Sequence, residues 1–299
     1  PKVPYGGLKN LGATCYMNSM LQCLYFNKEF RRNIMGLSQD EFPESVRSCL
    51  PLQELQKLFA NLEISCARSF DTTPFAKSLR LDCSVQQDAQ EFLKLLLSFL
   101  EQTLAQSSVP EEAKAFIQDD FRGTYSYCTK CSVCGYTSRP EVSFYDLDLK
   151  VQGISTLEES LDDFIKKEDL DGENMYQCQH CNIKVKAQRG IELISLPRVL
   201  NLQLLRFVYD IKSGNRRKVS SQISFPKVLD LSNWCGQAKN GKEMGAHCSE
   251  NPYLYELQCV IVHTGSSAVQ GHYIAHVKEN VDGKWWRFDD DVVTTLDDD

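Results

Sequence analysis

The chain has 299 residues, 42% of them hydrophobic, with 33 basic against 40 acidic side chains and a net charge of −7. That length can bury a full core, and the acidic balance speaks against a general nucleic-acid binder. The thirteen cysteines are odd in number and many lie within apolar runs, which excludes a small disulfide scaffold and favours a reducing, intracellular compartment.

No apolar run reaches transmembrane length and no signal segment opens the chain. The start at Pro1-Lys2 and the stop at Asp297-Asp298-Asp299 read as those of a domain excised from something longer.

In chain order, Asn10-Leu11-Gly12-Ala13-Thr14 leads from a glycine-containing loop into Cys15, at the start of an expected amphipathic helix carrying Met20, Leu21 and Leu24. A helix N-terminus offers unpaired N–H groups and partial positive charge, so it favours a thiolate at Cys15 and can hold a developing oxyanion. Asn10, five residues earlier, is either a second oxyanion donor or a turn residue. Cys23 has no such context and reads as an ordinary core cysteine.

Pro51–Leu62 predicts a short helix, and Cys66–Pro74 a connection. Phe92, Leu93, Leu96, Leu97 and Leu100 then predict a helix beginning near Val85. Asp88 and Glu91, three apart, share one face of it, either as ordinary acids favoured near a helix start or as partners for a basic ligand.

From about Phe121 the pattern shortens to β-type segments: Val142–Val151, Ile191–Ser195, Val199–Phe207, Tyr255–His263 and His272–Lys278. One domain is expected, mainly helical over 1–120 and mainly β over 121–299. The polar, glycine-bearing stretch 232–251 predicts an insertion.

Cys131-Ser132-Val133-Cys134-Gly135 and Cys178-Gln179-His180-Cys181-Asn182 are two knuckles, each followed by a residue that tolerates positive φ. Four thiolates suit a closed tetrahedral zinc site, one structural ion, against the alternative of free or redox-paired thiols. Cys128 is set aside, because Cys131 would then have to serve two pairs.

Gly271 precedes His272 at the head of an alternating strand, and Asp282-Gly283 predicts the turn that brings Lys284–Asp291 back beside it. An acid at the end of that returning strand can orient the imidazole as a general base for a thiol. Asp289 is the first choice and Asp290 the second. His276 reads as structural, and Tyr273 as a lining of the channel beside His272.

These segments together resemble the ubiquitin-specific proteases. The resemblance rests on the Cys box Gly7–Ser19, on Gln86-Gln87-Asp88-Ala89-Gln90-Glu91-Phe92, on Leu196–Leu200 with Leu205-Arg206-Phe207, and on the His box Gly271–Val277 with Trp286–Asp290. Leu202–Asp210 and Tyr273–Lys278 are most similar to the ubiquitin carboxyl-terminal hydrolase 48 group, whose members act in the nucleus on histone-linked ubiquitin.

The resemblance implies an α+β, papain-like cysteine protease fold of thumb, palm and fingers, with zinc at the fingertips. It implies a Cys15–His272–Asp289 triad with Asn10 in the oxyanion hole; many members carry Asn at the third position. It further implies that Asp88 and Glu91 meet the arginines of ubiquitin's tail. The activity implied is thiol-dependent hydrolysis of the (iso)peptide bond after ubiquitin's C-terminal glycine, through a thioester. The partners implied are ubiquitin and its conjugates, ubiquitinated histone among them; a monomer without membrane or direct nucleic-acid contact is expected.

Overall fold

A helix whose sequence is apolar on nearly every side has to be covered on every side, and the segment after Cys15 meets that demand. In the computed structural model, which describes residues 5–42, 50–210, 214–235, 251–265 and 271–296, α1 (Cys15–Phe26) buries all of its residues except Cys23. It is therefore not amphipathic as the sequence suggested. Its polar residues are buried because β1 (Gly7–Leu8) and the residue before it supply carbonyls: Asn18 Nδ2 donates to Leu8 O at 3.2 Å and Gln22 Nε2 to Gly6 O at 3.0 Å.

The chain divides into two units, one of residues 1–117, 209–218 and 257–299, the other of 118–208 and 219–256. In the first, α2 (Lys28–Gly36) starts at a cap in which Asn27 Oδ1 accepts from Phe30 N at 2.9 Å. Then come α3 (Leu50–Ile64), β2 (Ser69–Phe70), paired parallel to β1, and α4 (Thr73–Ser78).

The next helix, α5, spans Ala89–Ala105. It begins four residues later than expected, because Asp88 caps it by accepting from Gln90 N at 2.8 Å. Phe92, Leu93, Leu96, Leu97, Leu100 and Leu104 are buried along one face. Each such side chain contributes about 1.5–3 kcal/mol, so the core of this unit is anchored here. α6 (Glu111–Phe121) closes the helical part of the sequence.

The second unit centres on β3 (Gly123–Cys131), which carries β4 (Thr137–Ser138) and β5 (Glu141–Phe144) on one side. The single strand expected over Val142–Val151 is broken at Tyr145-Asp146. Beyond the break, β6 (Leu147–Lys150) leaves this sheet for another pairing, described below. α7 (Leu157–Ile165) follows, closed by a capping box in which Thr156 Oγ1 accepts from Glu159 N and Glu159 Oε2 from Thr156 N.

β7 (Glu168–Leu170), the small hairpin of β8 (Tyr176–Gln177) and β9 (Lys184–Val185), and β10 (Ala187–Ser195) come next. β10 pairs antiparallel with β3, setting Ala187 opposite Cys131. β11 (Leu202–Leu205) pairs parallel with β6, and Leu147, Leu149, Leu157, Leu161, Leu193 and Leu231 fill the core between them.

β12 (Phe207–Asp210) and β13 (Asn215–Lys218) follow, then β14 (Val228–Asp230) paired antiparallel with β15 (Leu254–Glu256). Of the insertion expected over 232–251, residues 236–250 lie outside the described residues, as do Pro1-Lys2 and Asp297–Asp299.

The C-terminal part of the first unit is an antiparallel meander of β16 (Cys259–Thr264), β17 (His272–Lys278), β18 (Trp285–Asp289) and β19 (Val292–Leu296). The Asp282-Gly283 signal holds. Gly283 has φ 74°, Lys284 N donates to Asp282 Oδ1, and Glu279 N donates to Lys284 O at 2.8 Å, closing the β17–β18 hairpin. α1 packs on β17, which brings the two ends of the sequence together. Among the described residues no helix is long and apolar enough to cross a membrane.

Candidate active site

The loop before Cys15 is held by its own side chains. Asn10 Oδ1 accepts from Gly12 N at 3.0 Å and Thr14 N at 3.1 Å, and Thr14 Oγ1 accepts from Leu11 N at 2.9 Å. Gly12, at φ 126°, passes close to the Cys83 carbonyl, which accepts from Ala13 N at 2.7 Å. The loop so fixed delivers Cys15 as the first residue of α1, with 3% of its surface exposed.

Burial pushes the Cys15 thiol up, against the N–H of Tyr273, which donates toward it, and the charge of Asp290 adds to the rise. The helix-terminus effect anticipated from sequence is thus outweighed by desolvation, which favours the neutral thiol at Cys15. A raised value means the thiolate fraction is still growing above pH 7. Alkylation of Cys15 by iodoacetamide, followed by peptide mass, should therefore keep accelerating from pH 7 to 9; a plateau reached by pH 7 would contradict the desolvated thiol.

His272 opens β17 and Asp289 ends β18, and Nε2 lies 2.6 Å from Asp289 Oδ1. A carboxylate only accepts, so Nε2 carries the proton and Nδ1 keeps the lone pair that can take a proton from a thiol. Asp290 Oδ2 is farther from the same nitrogen, at 3.7 Å. With φ 51°, Asp290 turns its carboxylate to the loop and helix: Asn10 Nδ2 donates to Oδ2 and Asn18 Nδ2 to Oδ1, both at 2.8 Å. The Asn10 amide is thereby engaged by Asp290 rather than standing open.

Leu8 N donates to Asp290 O at 2.8 Å. A Cβ on Gly7 would fall 2.5 Å from that oxygen and 2.6 Å from Asp291 Cα. Gly7→Ala is expected to push β1 off the Asp290 turn and lower kcat/KM by about tenfold or more while the circular dichroism spectrum stays native, since ångström-scale misplacement is that costly. Unchanged kinetics would refute the clash.

Asp88 is both the cap of α5 and an acceptor for Tyr273 Oη, at 3.4 Å, while Glu91 sits exposed in the first turn. Tyr273 is buried, its hydroxyl pushed well above the usual range by burial and by Asp88, and its ring meets His263 edge-on at 4.7 Å. His276, opposite Arg287 in register, is half-buried and pushed down by that burial.

Three residues near His272 were not singled out from sequence. Gln86 Oε1 accepts from Gly271 N at 3.1 Å, while its Nε2 is buried and has no partner among the described residues. His263 covers Gly271 so closely that a Cβ there would lie 2.1 Å from its Nε2. Arg287 Nη2 donates to Asp289 Oδ2 at 2.6 Å. Only Arg287 left a readable signal, its two-residue spacing from Asp289 on one strand face.

In the second unit the knuckles converge. Cys131 Sγ is 3.9 Å from Cys181 Sγ and Cys134 Sγ 3.8 Å from Cys178 Sγ, and all four sulfurs lie within 4.8 Å of one another. Four ligands at the Zn–S distance would be separated by about 3.8 Å along a tetrahedron edge, so the donor set fits such an ion. Val133 N and Cys134 N donate to Cys131 Sγ, and Cys181 N to Cys178 Sγ. Gly135 and Asn182 take the positive φ, 73° and 56°, that the two turns require. Cys128 lies outside the cluster, with Sγ 3.8 Å from Ser126 Oγ.

A helix-borne thiol packed on a strand that carries an imidazole–carboxylate pair, in an α+β chain, defines a cysteine-protease type of domain. The model of the ubiquitin carboxyl-terminal hydrolase family matches residues 6–299, and the chain belongs to that family, whose fold is papain-like.

The chain is 45% identical over 293 residues to ubiquitin carboxyl-terminal hydrolase 26 of Oryza sativa subsp. japonica, covering 97% of this chain and 26% of that protein. It is 41% identical over 303 residues to ubiquitin carboxyl-terminal hydrolase 48 of Gallus gallus, covering 99% and 28%. To ubiquitin carboxyl-terminal hydrolase 15 of Saccharomyces cerevisiae it is 35% identical over 293 residues, covering 97% and 23%. The chain thus spans about a quarter of the length of the curated relatives it matches.

Proposed function

We propose that this domain is a deubiquitinase that cleaves the bond after ubiquitin's C-terminal glycine by way of a Cys15 thioester. The observation that carries the reading is the His272–Asp289 pair at 2.6 Å on the strand hairpin against which the Cys15 helix packs. His272 Nδ1 takes the thiol proton as Sγ attacks the glycine carbonyl. The oxyanion is held by N–H groups at the start of α1 and by Asn10 Nδ2, once that amide exchanges its bond to Asp290. The imidazolium then gives its proton to the leaving amine, and water, deprotonated by the same imidazole, hydrolyses the thioester.

Asp289 orients the ring, with Asp290 as the neighbouring acid. Asp88 and Glu91 are assigned to the basic tail of ubiquitin, and Tyr273 to the channel through which its glycines pass. Cys131, Cys134, Cys178 and Cys181 hold one zinc ion, which supplies rigidity and leaves no open position for chemistry. The helical and β parts correspond in this reading to thumb, palm and fingers. The substrates are ubiquitin conjugates, histone-linked ubiquitin among them, in the nucleus or cytoplasm, with the protein acting as a monomer.

The test is incubation with ubiquitin bearing a C-terminal electrophile, read by intact mass. One adduct on the parent chain and none on Cys15→Ala is expected. No adduct on folded parent chain that still binds ubiquitin would refute turnover by this site.

A further inference from the structure

Two acids compete for one imidazole nitrogen. Asp289 Oδ1 is 2.6 Å from His272 Nε2 and Asp290 Oδ2 is 3.7 Å from it. Asp290 is tied down on both oxygens by Asn10 and Asn18. Asp289 is 30% exposed, and its second oxygen receives Arg287 Nη2 at 2.6 Å. A carboxylate held only at Oδ1 could turn about its terminal bond, which is broad in its preferences. Held at both oxygens, it keeps the Oδ1 lone pair on the ring.

Arg287 can bear that load because its backbone is fixed on both sides, opposite His276 of β17 and Thr294 of β19. We propose that Arg287 is a positioning residue that assigns the His272 ring to Asp289 instead of Asp290. This rests on the reading of His272 as the base. Without Arg287 the Asp289 carboxylate turns to solvent, the Nε2–H is shared with Asp290, and Asp290 in turn loosens its hold on Asn10.

The test is a double-mutant cycle on the full chain with a ubiquitin C-terminal amide as substrate. Arg287→Ala is expected to lower kcat by about tenfold in the parent, about what loss of one charge-assisted hydrogen bond costs, but by less than about twofold in Asp289→Ala. Arg287→Lys, which keeps a donor of the same sign, should recover most of the loss. In parallel, the downfield Nε2–H proton signal of His272 should be lost in Arg287→Ala and kept in Arg287→Lys.

Equal losses in both backgrounds, undiminished turnover of Asp289→Ala, or an unchanged Nε2–H signal in Arg287→Ala would each overturn the proposal. Absence of turnover in the parent chain would instead refute the deubiquitinase reading, and the proton signal would still decide the role of Arg287.

Discussion

Replacing His272 by alanine should lower hydrolysis of a ubiquitin C-terminal amide by about a thousandfold or more, within the range a positioned general base and acid supplies. The size of the effect follows from the resting state of Cys15. Its thiol is buried and held above its ordinary value, so the neutral form is favoured, and in the proposed reaction the proton leaves as the sulfur attacks. In the proposed reaction His272 takes it, because Asp289 engages Nε2 and leaves Nδ1 as the accepting nitrogen.

The residual rate of His272→Ala should climb with pH as the thiol ionises unaided. Folding should survive, since His272 is only half-buried at the end of its strand while Tyr273, Ile274, Ala275 and Val277 carry the packing. Steady-state kinetics from pH 6 to 9, with thermal melting as the control, decides the matter. A loss under about tenfold in a variant that melts like the parent would remove His272 from the chemistry.

The second large effect concerns the four cysteines. The knuckle end of the second unit has almost no apolar core of its own: Cys131, Cys178 and Val185 are its buried members, with Tyr176 and Cys181 partly buried against them. β8 and β9 are two residues each, too short to persist as an isolated hairpin. In the proposed reading the bond of four thiolates to an ion holds the two turns together, and structural zinc supplies on the order of 10 kcal/mol in small metal-built folds.

Metal analysis should find one zinc per chain. Stripping it with a strong chelator, or substituting Cys178→Ser, should abolish amide-exchange protection of residues 176–185 and lower the melting temperature by about 10 °C or more. Full protection in metal-free protein would mean that the knuckles stand on hydrogen bonds alone.

Much of this was legible in the sequence where one local rule governs. The three-and-four spacing of Phe92 to Leu100 gave α5 its buried face, the Asp-Gly pair its hairpin, and the C-x-x-C turns their paired geometry, because each depends on residues a few positions apart. His272–Lys278 coincides with β17.

The misreadings share a different cause. Asn18, Ser19 and Gln22 look like the wet face of an amphipathic helix, yet β1 and Gly6 turn that face into an interior. Val142–Val151 reads as one strand because β-propensity does not register a change of partner at Tyr145-Asp146. The capping box of Thr156 and Glu159 was readable locally but was obscured by the β character of its surroundings. The contacts of Asp290 with Asn10 and Asn18 could not be inferred locally at all, since they are made only in the folded chain.

Asn10 and Asp290 are 280 residues apart in sequence and 2.8 Å apart in space. During synthesis Cys15 therefore emerges well before the residues that the proposed site sets beside it. A chain that stops before β17 carries Cys15 without His272 and Asp289, and closing so long a separation is among the slower events in folding. The proposed site thus cannot assemble until β17 and β18 have joined α1, and hydrolytic competence would report that both ends of this domain have met.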